Sequence, residues 1–184
     1  MELTVDKSHI ANYSATESLR EGKQVTIRAI RPDDKTNMAG TLKELSSDSF
    51  YRRTFSPKRD VSVADLKQLT EVDFDNVVAL VAVMNEEGQE RIVGGGRYIR
   101  SGATGGVKKA EVAFLIDDVH QGMGIGSRIF RHLVAIARSS GIRLFEAEVL
   151  PTNEGMLRLF DRSGLLVTKN VTRDAVHVTI GLSS

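Results

Sequence analysis

Seven segments of the chain are apolar at alternate positions or without interruption, and both patterns are typical of β-strands. Residues 24–30 alternate, whereas residues 112–116 form a continuous apolar run that ends at Asp117 and Asp118. A continuous run is typical of a strand that is buried on both faces. The predicted strands comprise residues 24–30, 77–84, 91–100, 108–116, 144–150, 166–171 and 175–180.

Between these strands, apolar residues recur at the spacing of an amphipathic helix. The clearest helix begins at Ile125 and is ended by Gly141. Shorter helices are predicted over about residues 34–45, from residue 47, from residue 62 and within residues 153–164. Because a helix separates strand 108–116 from strand 144–150, these two strands must be parallel, whereas the turn at residues 85–88 predicts an antiparallel hairpin.

The order of elements predicts one domain of the α/β (α+β) class over residues 22–184, preceded by a polar arm over residues 1–21. Its central sheet is expected to be mixed, mostly antiparallel, with about seven strands and flanking helices. No apolar run approaches the roughly 20 residues of a membrane helix, and residues 1–22 lack the apolar core of a signal peptide. We therefore expect a cytoplasmic protein without a membrane partner.

Composition excludes several kinds of chemistry. The chain of 184 residues has no cysteine, so disulfides, thiolate zinc sites and a cysteine nucleophile are excluded, and no metal is expected. A formal net charge of +1 gives no reason to expect nucleic acid as a partner.

A glycine-rich loop over residues 121–127 joins the apolar strand to the long helix. The first N–H groups of a helix have no intrahelical partner and carry partial positive charge, so they bind anions. Gly122, Gly124 and Gly126 would let a phosphate approach these groups, although a tight turn with nothing bound has the same pattern. The Walker motif is excluded because Gly126 is followed by Ser127 and Arg128, and the spacing also differs from the G-x-G-x-x-G dinucleotide motif.

The loop does resemble the Q/R-x-x-G-x-G/A signature of the GCN5-related N-acetyltransferase (GNAT) family, with Gln121, Gly124 and Gly126 at the defining positions. A second block resembles the family's N-x-x-A-x-x-L-Y-x-K-x-G-F segment and contains Asn153, Met156, Leu159, Phe160 and Gly164. The resemblance implies the GNAT fold, acetyl-CoA as co-substrate and a pyrophosphate held by the loop. Two motifs in the right order are more specific than one.

In this family, two parallel strands separate at their carboxyl ends and admit the pantetheine arm of coenzyme A between them. The resemblance implies that strands 108–116 and 144–150 do so here, and that the Phe114 N–H stabilises the oxyanion of the tetrahedral intermediate. The implied cofactor-binding residues are Phe114, Leu115, Ile116, Gln121, Gly122, Met123, Gly124, Ile125, Gly126, Ser127 and Asn153.

Several residues bear on proton transfer. Residues 110–114 resemble the bacterial protein lysine acetyltransferases, in which a glutamate at the place of Glu111 is the proposed general base. Glu148 and Glu146 on the neighbouring strand compete for this role, with Glu148 closer to the expected separation of the strands, and Glu111 could instead be a solvated or ion-paired glutamate. His120 is expected to be a solvent-exposed loop histidine. Phe160 replaces the tyrosine that protonates the leaving thiolate in many members, so water would do this or the thiolate would leave unprotonated.

The acyl acceptor is predicted from weaker resemblances. Residues 25–34 and 45–56 resemble acetyltransferase modules that bacteria fuse to acyl-CoA synthetase-like or cyclic-nucleotide-binding domains, and that modify lysines of metabolic enzymes. We therefore expect a protein lysine as acceptor. A small amine and a noncatalytic acyl-CoA sensor remain as alternatives, and a homodimer is possible.

Two charged clusters have two interpretations each. Arg52, Arg53, Lys58 and Arg59 could meet the 3′-phosphate of coenzyme A or an acidic partner, or form a solvated surface. The acidic cluster of Glu71, Asp73 and Asp75 could attract a lysine, or could be a solvated helix end.

Overall fold

The computed structural model of the chain describes residues 6–54 and 60–183. In this part of the chain, eight strands form one open sheet in the order β1-β2-β3-β4-β5-β6-β8-β7, and only β5 and β6 are parallel neighbours. The strands are β1 (Ser14–Ser18), β2 (Gln24–Ala29), β3 (Val77–Glu86), β4 (Gln89–Thr104), β5 (Val107–Ile116), β6 (Leu144–Val149), β7 (Leu166–Val171) and β8 (Val176–Gly181). This confirms the predicted fold class.

Six α-helices flank this sheet in the described residues. They are α1 (Lys7–Ala11), α2 (Lys35–Glu44), α3 (Ser47–Thr54), α4 (Val63–Thr70), α5 (Ile125–Ser139) and α6 (Glu154–Asp161). Three short 3-10 turns, Arg20–Gly22, Pro32–Asp34 and Asp118–His120, complete the regular structure.

Apolar residues cover both faces of the sheet. On one face, α5 and α6 bury residues such as Ile129, Leu133 and Phe160. On the other, α2 and α3 contribute Met38 and Phe50. Successive residues of β3 belong alternately to the two cores, which explains why this strand is apolar without interruption.

The eighth strand lies inside the segment that the sequence assigned to a polar arm. Ser14–Ser18 pairs antiparallel with β2, and every one of its side chains is exposed or half-buried. The backbone of the arm thus extends the sheet, but the strand buries no apolar face. Its sequence therefore lacks the alternation of apolar and polar residues by which a strand is predicted. Arg128 of α5 anchors its end by donating a hydrogen bond to the Ser18 carbonyl at 2.8 Å.

Glycines in β4 let the sheet lie close to α5. A β-carbon on Gly96 would stand 2.7 Å from both Ile129 Cγ2 and Phe114 Cδ1, and one on Gly94 would stand 2.8 Å from Ile116 Cδ1. Because real β-carbons are excluded at such distances, only glycine fits at these two positions without a shift of the neighbours. The close packing fixes β5 against the helix that carries the glycine-rich loop.

A buried ion pair anchors the helices on the other face. Arg28 of β2 donates hydrogen bonds of 2.9 and 2.8 Å to the two carboxylate oxygens of Asp34, and both residues are buried. Burial opposes ionisation of Asp34, but the hydrogen bonds from Arg28 and from the Arg31 backbone N–H outweigh it, so the pKa of Asp34 is lowered. The pair holds the start of α2 against the sheet.

We expect Asp34→Asn to lower the free energy of unfolding at neutral pH by about 3 kcal/mol, because it leaves a buried arginine without its carboxylate. The contribution is present above the unfolded carboxyl pKa of about 4 and is lost as the pH falls through the lower folded value. The difference from wild type in urea unfolding should therefore shrink toward pH 2.

The matched control is Glu90→Gln, which removes the more exposed partner of the same guanidinium, 2.6 Å away. It should cost less than about 1 kcal/mol. An equal difference between wild type and Asp34→Asn at both pH values would contradict the assignment.

Candidate active site

The glycine-rich loop forms the amino-terminal end of α5. Gly124 is the N-cap in the left-handed conformation (φ 79°, ψ 15°), Gly122 also has φ 79°, and no side chain caps the helix. A β-carbon on Gly126 would stand 2.9 Å from Leu159 Cδ1 of α6. The first N–H groups of the helix are therefore left for an anion. The backbone angle favours glycine at 124, and a larger residue at 126 would require the Leu159 side chain to move.

A cleft of about 410 Å³ lies over this loop. All the predicted cofactor-binding residues line it except Met123, whose side chain packs against the core. Arg52, Arg53, Arg158 and Arg162 also line it, and no carboxylate does so among the described residues. The positive lining and the helix end suit the phosphates of coenzyme A. Lys58 and Arg59, which the sequence grouped with Arg52 and Arg53, lie outside the described residues.

Pairing between β5 and β6 stops partway along the two strands. Only Lys109, Ala110 and Glu111 of β5 have register partners on β6, although β6 continues to Val149 alongside β8. The carboxyl half of β5 therefore faces a gap between the strands on this side, as the family resemblance implied. The gap begins directly after Glu111 and ends at the glycine-rich loop.

The direction of the β5 backbone follows from two hydrogen bonds. The Arg143 N–H donates to the Lys108 carbonyl at 3.0 Å, on the β6 side, and the Asp117 N–H donates to the Val93 carbonyl at 3.0 Å, on the β4 side. Because successive residues of a strand point their backbone groups to opposite edges, the N–H groups of Phe114 and Ile116 point into the gap. An extended amide chain could bond to them there.

A recess of about 340 Å³ at the inner end of the gap contains both candidate bases. Glu111 lines it from β5, Glu148 lines it from β6, and Arg53 and Phe114 contribute to the same wall. Both glutamates are exposed at its surface. The third carboxylate, Glu146, forms an ion pair with Lys109 at 3.0 Å, so it is held away from this role.

Two arginines lie near Glu111. Arg97 stands opposite Ala113 in the β4–β5 register, two residues from the position opposite Glu111, so both side chains project from the same face. Burial lowers the pKa of Arg97, and the negative charge of Glu111 opposes that shift. Burial also lowers the pKa of Arg53 to about 10, helped by the like charge of Arg97. Both guanidinium groups remain protonated at neutral pH.

Phe160 is fully buried at the position of the missing tyrosine acid. Its ring meets those of Phe114 and Phe130 edge-on, with centroids 6.2 and 5.5 Å away. Edge-to-face contacts of this kind are favourable and hold the three rings together. The residue therefore holds Phe114 and its strand in place, and its side chain has no proton to give.

His120 is buried rather than solvent-exposed, which corrects the sequence-based expectation. It is 7% exposed, and its ring nitrogens lie 3.3 Å from Asp117 and 3.0 Å from Glu86. Arg91 binds the same two carboxylates at 2.8 and 3.3 Å. This network lies beneath the turn that precedes the loop. Its residues come from three separate segments of the chain, so no short-range pattern in the sequence could predict that they meet.

Asp118 ties α3 to the same turn. Its carboxylate accepts hydrogen bonds from the Ser46 N–H at 2.6 Å and from the Ser49 hydroxyl. The Gln121 amide donates to the Ile116 carbonyl at 3.3 Å and to Asp118 at 3.1 Å. These bonds place α3, with its two arginines, over the cleft.

A second pocket of about 450 Å³ lies under α2, α3 and α4, and sequence reasoning missed it. It meets the cleft at Arg53 and Leu115, which line both. Apolar residues such as Met38, Leu42 and Phe50 form much of its wall, and Arg97 lines it from the sheet. Only the tertiary packing of the helices on β4 creates this space, so the sequence carried no signal for it.

The acidic cluster is engaged in structural contacts. Glu71 pairs with Lys35 at 2.6 Å, Asp73 accepts a hydrogen bond from the Val77 N–H at 2.9 Å, and Asp75 pairs with Lys7 at 2.6 Å. These bonds give the cluster a role in holding the chain between α4 and β3.

Residues 6–54 and 60–183 contain no group of three or more His, Asp or Glu side chains that could hold a metal ion. None of their helices combines the length and apolar character needed to cross a membrane.

Comparison with known proteins identifies relatives of this chain. The model of the acetyltransferase (GNAT) family matches residues 41–165. An acetyltransferase of Pseudomonas aeruginosa is 34% identical over 127 residues, which are 69% of this chain and 67% of the relative. The acetyltransferase Pat of Mycolicibacterium smegmatis is 34% identical over 146 residues, 79% of this chain but only 42% of the relative.

One solved structure is similar over almost its whole length. The GNAT domain of S. lividans PAT superposes with a TM-score of 0.81 at 34% identity, covering 91% of this chain and 96% of that domain.

We expect Gly124→Asp to weaken acetyl-CoA binding by at least about 100-fold, because it places a side chain and a negative charge where the pyrophosphate would bind. Gly88→Asp is the matched control, since Gly88 also has a positive φ (84°) but lies in the β3–β4 turn. Both variants carry a similar backbone strain of about 1–2 kcal/mol. Calorimetry should find lost affinity only for Gly124→Asp, and unchanged affinity in that variant would refute the loop assignment.

Proposed function

Since the chain belongs to the GNAT acetyltransferase family, we propose that it transfers the acetyl group of acetyl-CoA to lysine side chains of proteins. The observation that carries this proposal is the gap between β5 and β6, which leads from the glycine-rich loop to the recess at Glu111. Acetyl-CoA with its phosphates held at the loop could extend along this gap and bring its acetyl group close to Glu111.

Residues of this chain fit the requirements of coenzyme A binding. The uncapped end of α5 and the surrounding arginines suit phosphates, and the glycines leave room for them. The N–H groups of Phe114 and Ile116 would pair with the amides of the pantetheine arm. We assign the binding role to residues 114–116, to the loop 121–127, with Met123 contributing backbone only, and to Asn153.

The reaction requires removal of a proton and stabilisation of a negative charge. Acetyl-CoA, when bound, supplies the acetyl group as a thioester. A lysine ammonium has a pKa of about 10.4, so a base must take a proton before nitrogen can attack. We assign this role to Glu111, either directly or through one water. The Phe114 N–H would donate a hydrogen bond to the thioester oxygen as charge develops on it.

The leaving group needs no tyrosine acid in this scheme. A thiol has a pKa of about 8.5, so the coenzyme A sulfur can leave as a thiolate or take a proton from water. Phe160 contributes by packing against Phe114, with its ring centroid 6.2 Å away. Glu148 stays the alternative base because it lines the same recess from β6.

Support for a protein acceptor comes from the relatives. One is named Pat, and another solved relative is the GNAT domain of S. lividans PAT. This chain spans 42% of the length of the M. smegmatis protein, so the activity of that whole protein is not transferred. The acceptor class is accordingly a proposal, as are the cytoplasmic location and a possible homodimer.

The decisive test is incubation of the protein with acetyl-CoA and a mixed panel of proteins, lysine peptides and small amines, with products identified by mass spectrometry. Acetylated lysines in proteins or peptides would support the proposal. If only small amines were acetylated, the acceptor would be a small molecule and not a protein lysine. Tight acetyl-CoA binding without any product would favour an acyl-CoA sensor.

We expect Glu111→Gln to lower kcat by about 100-fold or more without changing acetyl-CoA affinity, because the amide cannot take the proton. Glu148→Gln serves as the matched control, since it removes a carboxylate from the same recess. Steady-state kinetics and calorimetry on both variants separate the candidates. A large loss confined to Glu148→Gln would move the base to β6.

A further inference from the structure

Two arginines of the second pocket have no partner within the described part of the chain. Arg53 lies in the last turn of α3 and Arg97 lies in β4, and both line the pocket. Neither guanidinium makes a hydrogen bond or an ion pair with another described residue; each senses Glu111 only as a nearby charge.

Several other arginines in the described part of the chain bind carboxylates. Arg28 binds Asp34, Arg91 binds three carboxylates, and Arg52 binds Asp48 at 2.7 Å. The chain thus supplies carboxylates where an arginine has a structural role. Arg53 and Arg97 are half-buried, and their like charges oppose each other, so an anion bound between them would be stabilised by both.

The position of these arginines indicates that an anion bound to them would lie close to the acceptor lysine. Arg53 also lines the cleft and the recess that contains Glu111, so it stands where all three spaces meet. Arg97 lines only the second pocket, on the same face of the sheet as Glu111. An anion bound there would lie beside the base, apart from the phosphate loop at the other end of the gap.

The remainder of the pocket suits a peptide segment. Its wall is largely apolar, with Met38, Leu42 and Leu69, and it also contains Asp60 and Asp65. The aliphatic stem of a lysine could pack on such a wall, while a neighbouring carboxylate would reach the arginines.

We infer that the second pocket selects acceptor lysines that have an acidic residue beside them, with the acidic side chain bound by Arg97 and Arg53. This inference rests on the proposed lysine acetyltransferase function and adds a specificity rule to it. Arginine is suited to the role because its planar fork binds a carboxylate through two hydrogen bonds.

The test uses three peptides that contain one lysine and differ only in the residues beside it, which are glutamate, glutamine or arginine. For the wild-type chain, kcat/KM should be at least about 10-fold higher with glutamate than with glutamine. Arg97→Gln should remove that preference, and Arg97→Glu should shift it toward the arginine peptide. Acetyl-CoA affinity should be unchanged in both variants because Arg97 does not line the cleft.

Arg100→Gln is the matched control. It removes an arginine of the same strand, three residues away, that pairs with Asp75 instead of lining the pocket. Its peptide preference should equal that of wild type. Circular dichroism and acetyl-CoA affinity establish that each variant is folded, and Arg97→Lys, which keeps the charge, should retain part of the preference.

Several results would overturn the inference. One is equal kcat/KM for the glutamate and glutamine peptides in wild type, with lysine acetylation itself intact. Another is a loss in Arg97→Gln that is the same for every peptide, which would mean that Arg97 acts on Glu111. Acetylation of free acidic amino acids alone would assign the carboxylate to a small molecule. Absence of every product would instead count against the proposed function.

Discussion

The structure depends on a pair of parallel strands that are joined at one end and separate at the other. β5 and β6 share three register pairs, and β5 then continues with backbone groups directed into the gap. Unpaired backbone groups are costly when buried, so a gap of this kind persists only where other forces hold each strand. β4 pairs with β5 along its length, β8 pairs with β6 along its length, and the aromatic contacts of Phe114 hold β5 to α5 and α6.

The parts of the fold that depend on local pattern were predictable from the sequence. The glycine-rich loop, the amphipathic helix after it and the apolar strand before it lie where periodicity and turn chemistry placed them. The parallel pairing of β5 and β6 followed from the helix between them. β1 was not predicted because its side chains bury no apolar face. It joins the sheet through backbone hydrogen bonds to β2, and these do not depend on which side chains the strand carries.

The site was predictable only in its half nearest to the loop. Residues 121–127 would bind an anion through backbone groups, and their spacing alone favours such a site. By contrast, the environment of His120 is built by Glu86 and Asp117, and the second pocket is closed by helices from a different part of the chain. Such juxtapositions arise from tertiary packing, and a single sequence read alone holds no periodic signal for them.

The contact between Gly126 and Leu159 joins the two motifs that first indicated the family. Because a β-carbon at position 126 would stand 2.9 Å from the leucine methyl group, the sizes of these two residues are linked through space. A larger residue in the loop therefore requires the leucine side chain to move or to be replaced by a smaller one, so the two positions should tend to covary in volume among homologous chains. The two motifs, which are separate along the sequence, are therefore coupled in their evolution. A change in the size of residue 126 creates selection for a change in the size of residue 159, and the reverse holds as well.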